Sequence, residues 1–339
     1  MNFREDTEVS KKNKESYLSG IESVILERKE MLSQKRSEYS KDIFTNTENY
    51  RDDLKEMLGW PLVDCSREGI PSAKTERLSE ENGVVIYRMS FEIFSGVELS
   101  GLYFELSGDT KRPLVLVQHG GLGTPEIISG FYDGITGNYN DMLERVLSCG
   151  VHVFAPQLLL WDNEKYALPF DRANVDMRLK HVGGSITALE LFGMQRILDY
   201  FEAKDNVSAF GMVGMSYGGF YTLFLSALDT RIKAALSSSF FNSRDRVTWS
   251  DWTWFNSASK FDDAEIAAMT YPRRLYIAVG RSDELFDVKY GEASFERLRK
   301  MCEKVGEDWV SFITFEGTHE FIRDDAPIKE LVKILLENK

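Results

Sequence analysis

The stretch that most constrains this chain is Val207-Ser208-Ala209-Phe210-Gly211-Met212-Val213-Gly214-Met215-Ser216-Tyr217-Gly218-Gly219-Phe220. Its apolar first half reads as a buried strand, and residues 220–228, apolar and free of breakers, read as a buried helix. Between them stands Gly214-Met215-Ser216-Tyr217-Gly218, a sharp turn with one serine at its tip. Such a turn strains the serine backbone and leaves no room for a side chain two residues before or after it. Gly214 and Gly218 meet that need. The turn lifts the Ser216 hydroxyl clear of the sheet edge. It also sets the Tyr217 backbone N–H at a helix N-terminus, where a developing oxyanion would be stabilised. The same five residues alone would also describe a glycine-rich surface turn. Their place after a strand and before a helix points to a nucleophile.

A strand buried on both faces needs neighbours, and the chain supplies them. Residues 84–93 and 97–106 read as a hairpin turned at Ser95-Gly96. Residues 113–118 and 151–156 are short, continuous apolar strands of the kind buried on both faces. Further strands are expected at 232–237, 274–279 and 310–315. Helices are expected at 140–147, 185–203, 290–304 and 327–336. Strands alternating with helices imply an α/β fold, a mostly parallel twisted sheet with helices on both faces. This catalytic domain would span 84–339, with an insertion at 240–270 after the sixth strand. Residues 1–83 would form an N-terminal helical extension. There Ile21, Val24, Ile25, Met31 and Leu32, and then Ile43, Tyr50, Leu54 and Leu58, recur at helical spacing. Such stripes usually face a core, so the extension is expected to cap the main body rather than to recognise a partner. Gly59-Trp60-Pro61 stops its second helix.

Sites in such sheets lie at the carboxyl ends of the strands. The strand ending at Val279 is followed by Gly280-Arg281-Ser282-Asp283-Glu284-Leu285-Phe286-Asp287. The strand ending at Phe315 is followed by Glu316-Gly317-Thr318-His319-Glu320. A serine needs a base to take its proton, and the base needs an orienting acid. The chain has four histidines. His152 lies within a strand, His181 precedes a glycine pair, and His119 belongs to the turn after Gln118. His319, placed just after a strand, is the expected base. Asp283 and Asp287 compete as its acid. Asp283 is preferred because it lies nearer the strand end. The glycine-rich loop His119-Gly120-Gly121 would supply the second oxyanion donor, the N–H of Gly121, with that of Gly120 next.

These residues resemble the α/β-hydrolase superfamily over about three quarters of the chain, in the order Ser216, Asp283, His319. Ser216-Tyr217-Gly218-Gly219-Phe220 is similar to the elbow of the dienelactone hydrolase and prolyl oligopeptidase branch. Gly280-Arg281-Ser282-Asp283 and Gly317-Thr318-His319-Glu320-Phe321 resemble its acid and histidine loops. The lead-in Met57-Leu58-Gly59-Trp60-Pro61-Leu62 looks like that of bacterial acetylxylan-esterase-like hydrolases. The resemblance implies an α/β-hydrolase fold and a serine hydrolase acting through an acyl-enzyme. The roughly 110 residues before the oxyanion loop are too few for the β-propeller that selects peptides in prolyl oligopeptidases, which favours a small ester, for example an acetyl ester of a carbohydrate. A dienelactone-type lactonase, a small peptidase and a non-catalytic binding protein on the same fold are the alternatives.

Three of the six tryptophans, Trp249, Trp252 and Trp254, fall in the insertion after a catalytic-edge strand. They would roof the pocket as platforms for sugar rings or acyl groups, or else pack the insertion against itself or a second copy. Trp161, after the strand ending at Pro156, would form another wall. The chain of 339 residues carries a net charge of −13, so it has no general attraction for nucleic acid or anionic membranes. Cys65, Cys149 and Cys302 are far apart and odd in number, which suggests reduced thiols. No clustered Cys/His spacing suggests a metal, and no cofactor is expected. The polar N-terminus lacks a secretory h-region, so a cytoplasmic location is expected, with a small-molecule ester as ligand and a homo-oligomer as a possible state.

Overall fold

The computed structural model describes residues 2–61, 69–94, 96–132, 137–160 and 168–337. Cys65, Ser95 and Trp161 lie outside the described residues. The strands are β1 (Ala73–Glu81), β2 (Val84–Phe94), β3 (Val97–Leu106), β4 (Arg112–Gln118), β5 (His152–Pro156), β6 (Val207–Met215), β7 (Ile232–Ser238), β8 (Arg274–Gly280) and β9 (Val310–Phe315). They form one sheet in the order β1-β2-β3-β5-β4-β6-β7-β8-β9. β1, β2, β3 and β5 pair antiparallel, and β5 through β9 pair parallel. The parallel part is made of the continuous apolar strands. Leu114 to Val117 of β4 and Met212 to Met215 of β6 are buried throughout, as strands covered on both faces must be.

The helices are α1 (Thr7–Tyr39), α2 (Thr47–Leu58), α3 (Pro125–Ile128), α4 (Met142–Leu147), α5 (Arg172–His181), α6 (Ile186–Glu202), α7 (Tyr217–Leu228), α8 (Asp263–Ala268), α9 (Val288–Cys302) and α10 (Ala326–Glu337). They cover both faces and make two cores. One gathers Leu54 of α2, Leu191 of α6, Phe224 of α7 and Leu298 of α9. The other gathers Ile127 of α3, Met142 of α4 and Leu331 of α10. No helix among the described residues is long and apolar enough to cross a membrane. Cys149 and Cys302 are free thiols.

Three expectations need correction. Residues 73–81, placed in the helical extension, are the edge strand β1, which pairs with β2. The sequence Ala73-Lys74-Thr75-Glu76-Arg77-Leu78-Ser79-Glu80-Glu81 is polar because an edge strand open to solvent has no core face to fill. The insertion at 240–270 therefore follows the seventh strand, not the sixth. The extension itself divides. On α2, Tyr50, Leu54 and Leu58 are buried, and Arg51 donates to the carbonyls of Ala227 (2.7 Å) and Met269 (2.9 Å). On α1, Ile21, Val24, Ile25 and Met31 are exposed, so that stripe does not face the body.

The strand order reverses at β4, and this positions the site. β4 lies between β5 and β6, and Gln118 pairs with Gly214, so the loops leaving β4 and β6 emerge side by side. A crevice at such a reversal is where sheets of this kind bind ligands.

Candidate active site

Ser216 follows the last residue of β6 and caps α7 with φ 59° and ψ −120°. A non-glycine residue at positive φ costs about 1–3 kcal/mol and persists only where its surroundings impose it. Here they do. The Ser216 amide donates to the Ser238 carbonyl at 2.9 Å, and the Phe220 amide donates to the Ser216 carbonyl at 2.9 Å. A Cβ on Gly214 would meet the carbonyl of Gly218, and one on Gly218 would meet that of Gln118. Both glycines are thus required by contact with backbone, which cannot move aside.

The Ser216 hydroxyl lies 2.9 Å from Nε2 of His319, and His319 Nδ1 lies 3.0 Å from Oδ2 of Asp283. The other carboxylate oxygen of Asp283 accepts the amides of Leu285 and Phe286, each at 2.9 Å. Asp287 instead caps α9, accepting from the Lys289 amide at 3.1 Å and pairing with the Lys289 ammonium. The loops after β8 and β9 are tied together: the amides of Arg281 and Ser282 donate to the carbonyls of Phe315 and Gly317, each at 2.9 Å. The acid and the histidine are therefore held as one unit. Ser239 Oγ donates to the Glu320 carbonyl at 2.6 Å, which binds that unit to the end of β7.

On the opposite side of Ser216, a Cβ on Gly120 would lie 3.2 Å from the serine Cβ, so this loop touches the turn. The Gly120 amide donates to the buried Tyr139 hydroxyl at 2.9 Å, which leaves Gly121 as the loop's candidate donor. Tyr217 is the first residue of α7, so its amide sits at the positive end of the helix. His119 is fully buried. Its Nε2 accepts the Leu158 amide at 3.3 Å, so the ring proton is on Nδ1 and is donated to the Gly120 carbonyl at 2.9 Å. His119 and Tyr139 thus grip Gly120 from its two sides. Neither role has a sequence signal beyond the H-G step.

Burial pushes the His119 pKa down from 6.5 to about 4. Between those values the unfolded chain binds the proton that the folded one refuses, so this residue's share of stability falls as pH falls. Its depression should cost about 2 kcal/mol between pH 8 and pH 5. Buried Asp263 and Glu265, raised to about 6 and about 7, act in the opposite sense. The check is therefore differential. Urea midpoints at the two pH values should shift less for His119→Asn than for the wild type, and equal shifts would refute the assignment.

The tryptophans separate. Trp252 is 2% exposed and stacks on Phe220 at 4.7 Å, and Trp254 is 5% exposed beneath Arg244. Both belong to the core under the insertion and cannot serve as platforms. The insertion needed its own apolar anchor to sit on α7, and these rings provide it. Trp249 is 37% exposed and stacks on Tyr217 at 5.3 Å with its plane tilted by 15°. Among the described tryptophans of the expected pocket, it is the one whose face remains beside the elbow. Trp252→Ala should destabilise the protein by about 3–5 kcal/mol. Trp249→Ala should leave the melting transition nearly in place and act on KM. Calorimetry and steady-state kinetics of the two variants check this, and a reversed pattern would refute it.

A buried polar network, absent from the sequence reading, anchors the insertion. Arg172 donates to Asp251 Oδ2 (2.8 Å), to both carboxylate oxygens of Glu190 (3.1 and 2.9 Å) and to the Tyr221 hydroxyl (3.0 Å). Tyr217 donates its hydroxyl to Asp251 at 3.0 Å. The side chain of the residue next to Ser216 is thus fixed by a carboxylate from the insertion. Charges buried this deeply persist because they are paired.

The fold has solved counterparts. Glucuronoyl esterase from Solibacter usitatus superposes with a TM-score of 0.65 at 15% identity, over 87% of this chain and 94% of that one. Acetyl xylan esterase 1 from Thermoanaerobacterium sp. gives 0.57 at 15% identity, over 89% and 98%. A cold-adapted esterase from an Arctic intertidal metagenomic library gives 0.53 at 19% identity, over 78% and 97%. The chain has the α/β-hydrolase fold. No protein-family model and no curated protein matches it. At such identities the likeness concerns architecture, and the chemistry must be argued from the side chains.

Proposed function

We propose that this α/β-hydrolase-fold chain is a serine carboxylesterase that cleaves small esters through an acyl-enzyme, with acetyl esters of carbohydrates as its substrate class. The observation that carries this reading is the unbroken line from Ser216 Oγ through His319 to Asp283, with contacts of 2.9 and 3.0 Å. Ser216 Oγ attacks the ester carbonyl carbon while its proton passes to His319 Nε2. Asp283 stabilises the imidazolium that forms. The carbonyl oxygen, now an oxyanion, takes up the amides of Tyr217 and Gly121; one such donor is worth about 10²–10³ in rate. Collapse breaks the bond to the alcohol, which leaves with the proton from His319. Water then attacks the acyl-serine by the same steps and releases the acid.

Two observations support a carbohydrate as part of the ester. Trp249 offers an aromatic face beside the elbow, and such faces suit sugar rings. An acetyl xylan esterase and a glucuronoyl esterase are among the proteins that share the fold. The test is hydrolysis of p-nitrophenyl esters from acetyl to octanoyl, followed by acetylated xylo-oligosaccharides. Short acyl chains should be preferred, and labelling by a fluorophosphonate should fall on Ser216. Folded protein that neither hydrolyses these esters nor takes the label would overturn the reading.

A further inference from the structure

We infer that α1 is a dimerisation arm, pairing antiparallel with α1 of a second copy of this chain. The helix is 33 residues long, and its C-terminal part meets the body through Lys29, paired with Asp245, Arg36, which donates to the Ala258 carbonyl at 2.7 Å, and Tyr39, whose ring packs on Phe261. Every residue from 2 to 31 is exposed. The turns before Lys29 extend roughly 33 Å at 1.5 Å per residue. A helical arm of this length is marginal in water without packing on one face. This one carries an apolar face that packs on nothing among the described residues. Tyr17, Leu18, Ile21, Val24, Ile25 and Met31 are all exposed, at 75%, 59%, 40%, 55%, 41% and 41%. Tyr17, Ile21, Val24, Arg28 and Met31 follow the alternating four- and three-residue steps of a coiled-coil seam, and Gly20 beside the seam permits close approach.

The charges on this face select the occupant and its direction. Arg28 lies within the seam. A parallel copy would set Arg28 against Arg28 and Lys14 against Lys14. An antiparallel copy centred between Glu22 and Ser23 sets Ile21 against Val24 and Leu18 beside Ile25. It also brings Arg28 over the Tyr17 ring and Glu15 beside Lys29, each contact made twice by the two-fold. The face is thus complementary to itself reversed, which is what an isologous partner requires. One pair opposes this register: Glu22 meets its own copy near the axis, so Glu22→Gln should tighten the association.

Sedimentation velocity of the full chain up to about 100 μM should show a dimer. Ile21→Glu with Val24→Glu should weaken it by about a hundredfold or more, since four carboxylates would enter the seam. Ester hydrolysis should be unchanged, because neither residue touches the site. Under oxidation, Tyr17→Cys mixed with Arg28→Cys should cross-link above the wild-type background, and neither alone should. A wild type that is monomeric throughout, a dimer indifferent to the double substitution, or cross-linking of either single variant alone would each overturn the inference. The first outcome would leave the face to a different protein, the second would move the interface elsewhere, and the third would reverse the direction of pairing.

Discussion

Ser216→Ala is expected to lower kcat on p-nitrophenyl acetate by about 10⁶, with KM little changed and the fold intact. The size follows from the site's construction. Ser216 Oγ is held 2.9 Å from His319 Nε2 by a backbone that is strained to hold it there. Alanine keeps the same φ as readily as serine, so the turn survives the change. The lost contact is one hydrogen bond at a partly solvated histidine, worth about 1 kcal/mol of stability. The residual rate should exceed that of water, because the substitution leaves untouched the amides of Tyr217 and Gly121 that are proposed to take up the oxyanion. Fluorophosphonate labelling should vanish in parallel. A variant that hydrolyses within tenfold of the wild type, or that still takes the label, would show that Ser216 is not the nucleophile.

The elbow was legible because it couples two signals, a backbone requirement for glycine and a placement between buried elements. Gly214 and Gly218 stand where carbonyls of Gly218 and Gln118 exclude a side chain, a constraint that leaves its mark in the sequence itself. The loops that carry Asp283 and His319 were legible for a related reason: each follows an unmistakable apolar strand. Other features left no such mark. β1 is an edge strand with both faces wet, so it is mostly polar and lacks an apolar alternation. Trp252 and Trp249 are the same residue type three positions apart, and only packing on Phe220 or stacking on Tyr217 assigns one to the core and the other to the surface. Arg172, Glu190 and Asp251 come from three separate elements and meet only in the fold, so no local pattern announces them. The stripe on α1 was legible as a stripe, but periodicity does not say what covers it.

Asp283→Asn should lower kcat by about 10⁴ at neutral pH, whereas Asp287→Asn should change it less than about threefold. Both residues follow β8, and both are carboxylates near its end, so their sequence context barely separates them. Their hydrogen bonds do. Oδ1 of Asp283 accepts two backbone amides, those of Leu285 and Phe286, at 2.9 Å each. An asparagine at 283 must leave its carbonyl oxygen on those two donors, because its NH₂ group cannot accept from them. The NH₂ group then faces His319 Nδ1. A donor there forces Nδ1 to be the acceptor, so the ring proton moves to Nε2 and points at the Ser216 hydroxyl. The base is occupied by its own proton, and the serine keeps its own. The loss is one of tautomer rather than of geometry, so the structure and melting temperature of Asp283→Asn should stay close to wild type. Asp287 caps α9, a task that asparagine performs about as well, so its variant should be nearly silent in both stability and rate. Steady-state kinetics of the two variants decide the assignment. Comparable losses in both, or a silent Asp283→Asn, would remove Asp283 from the relay.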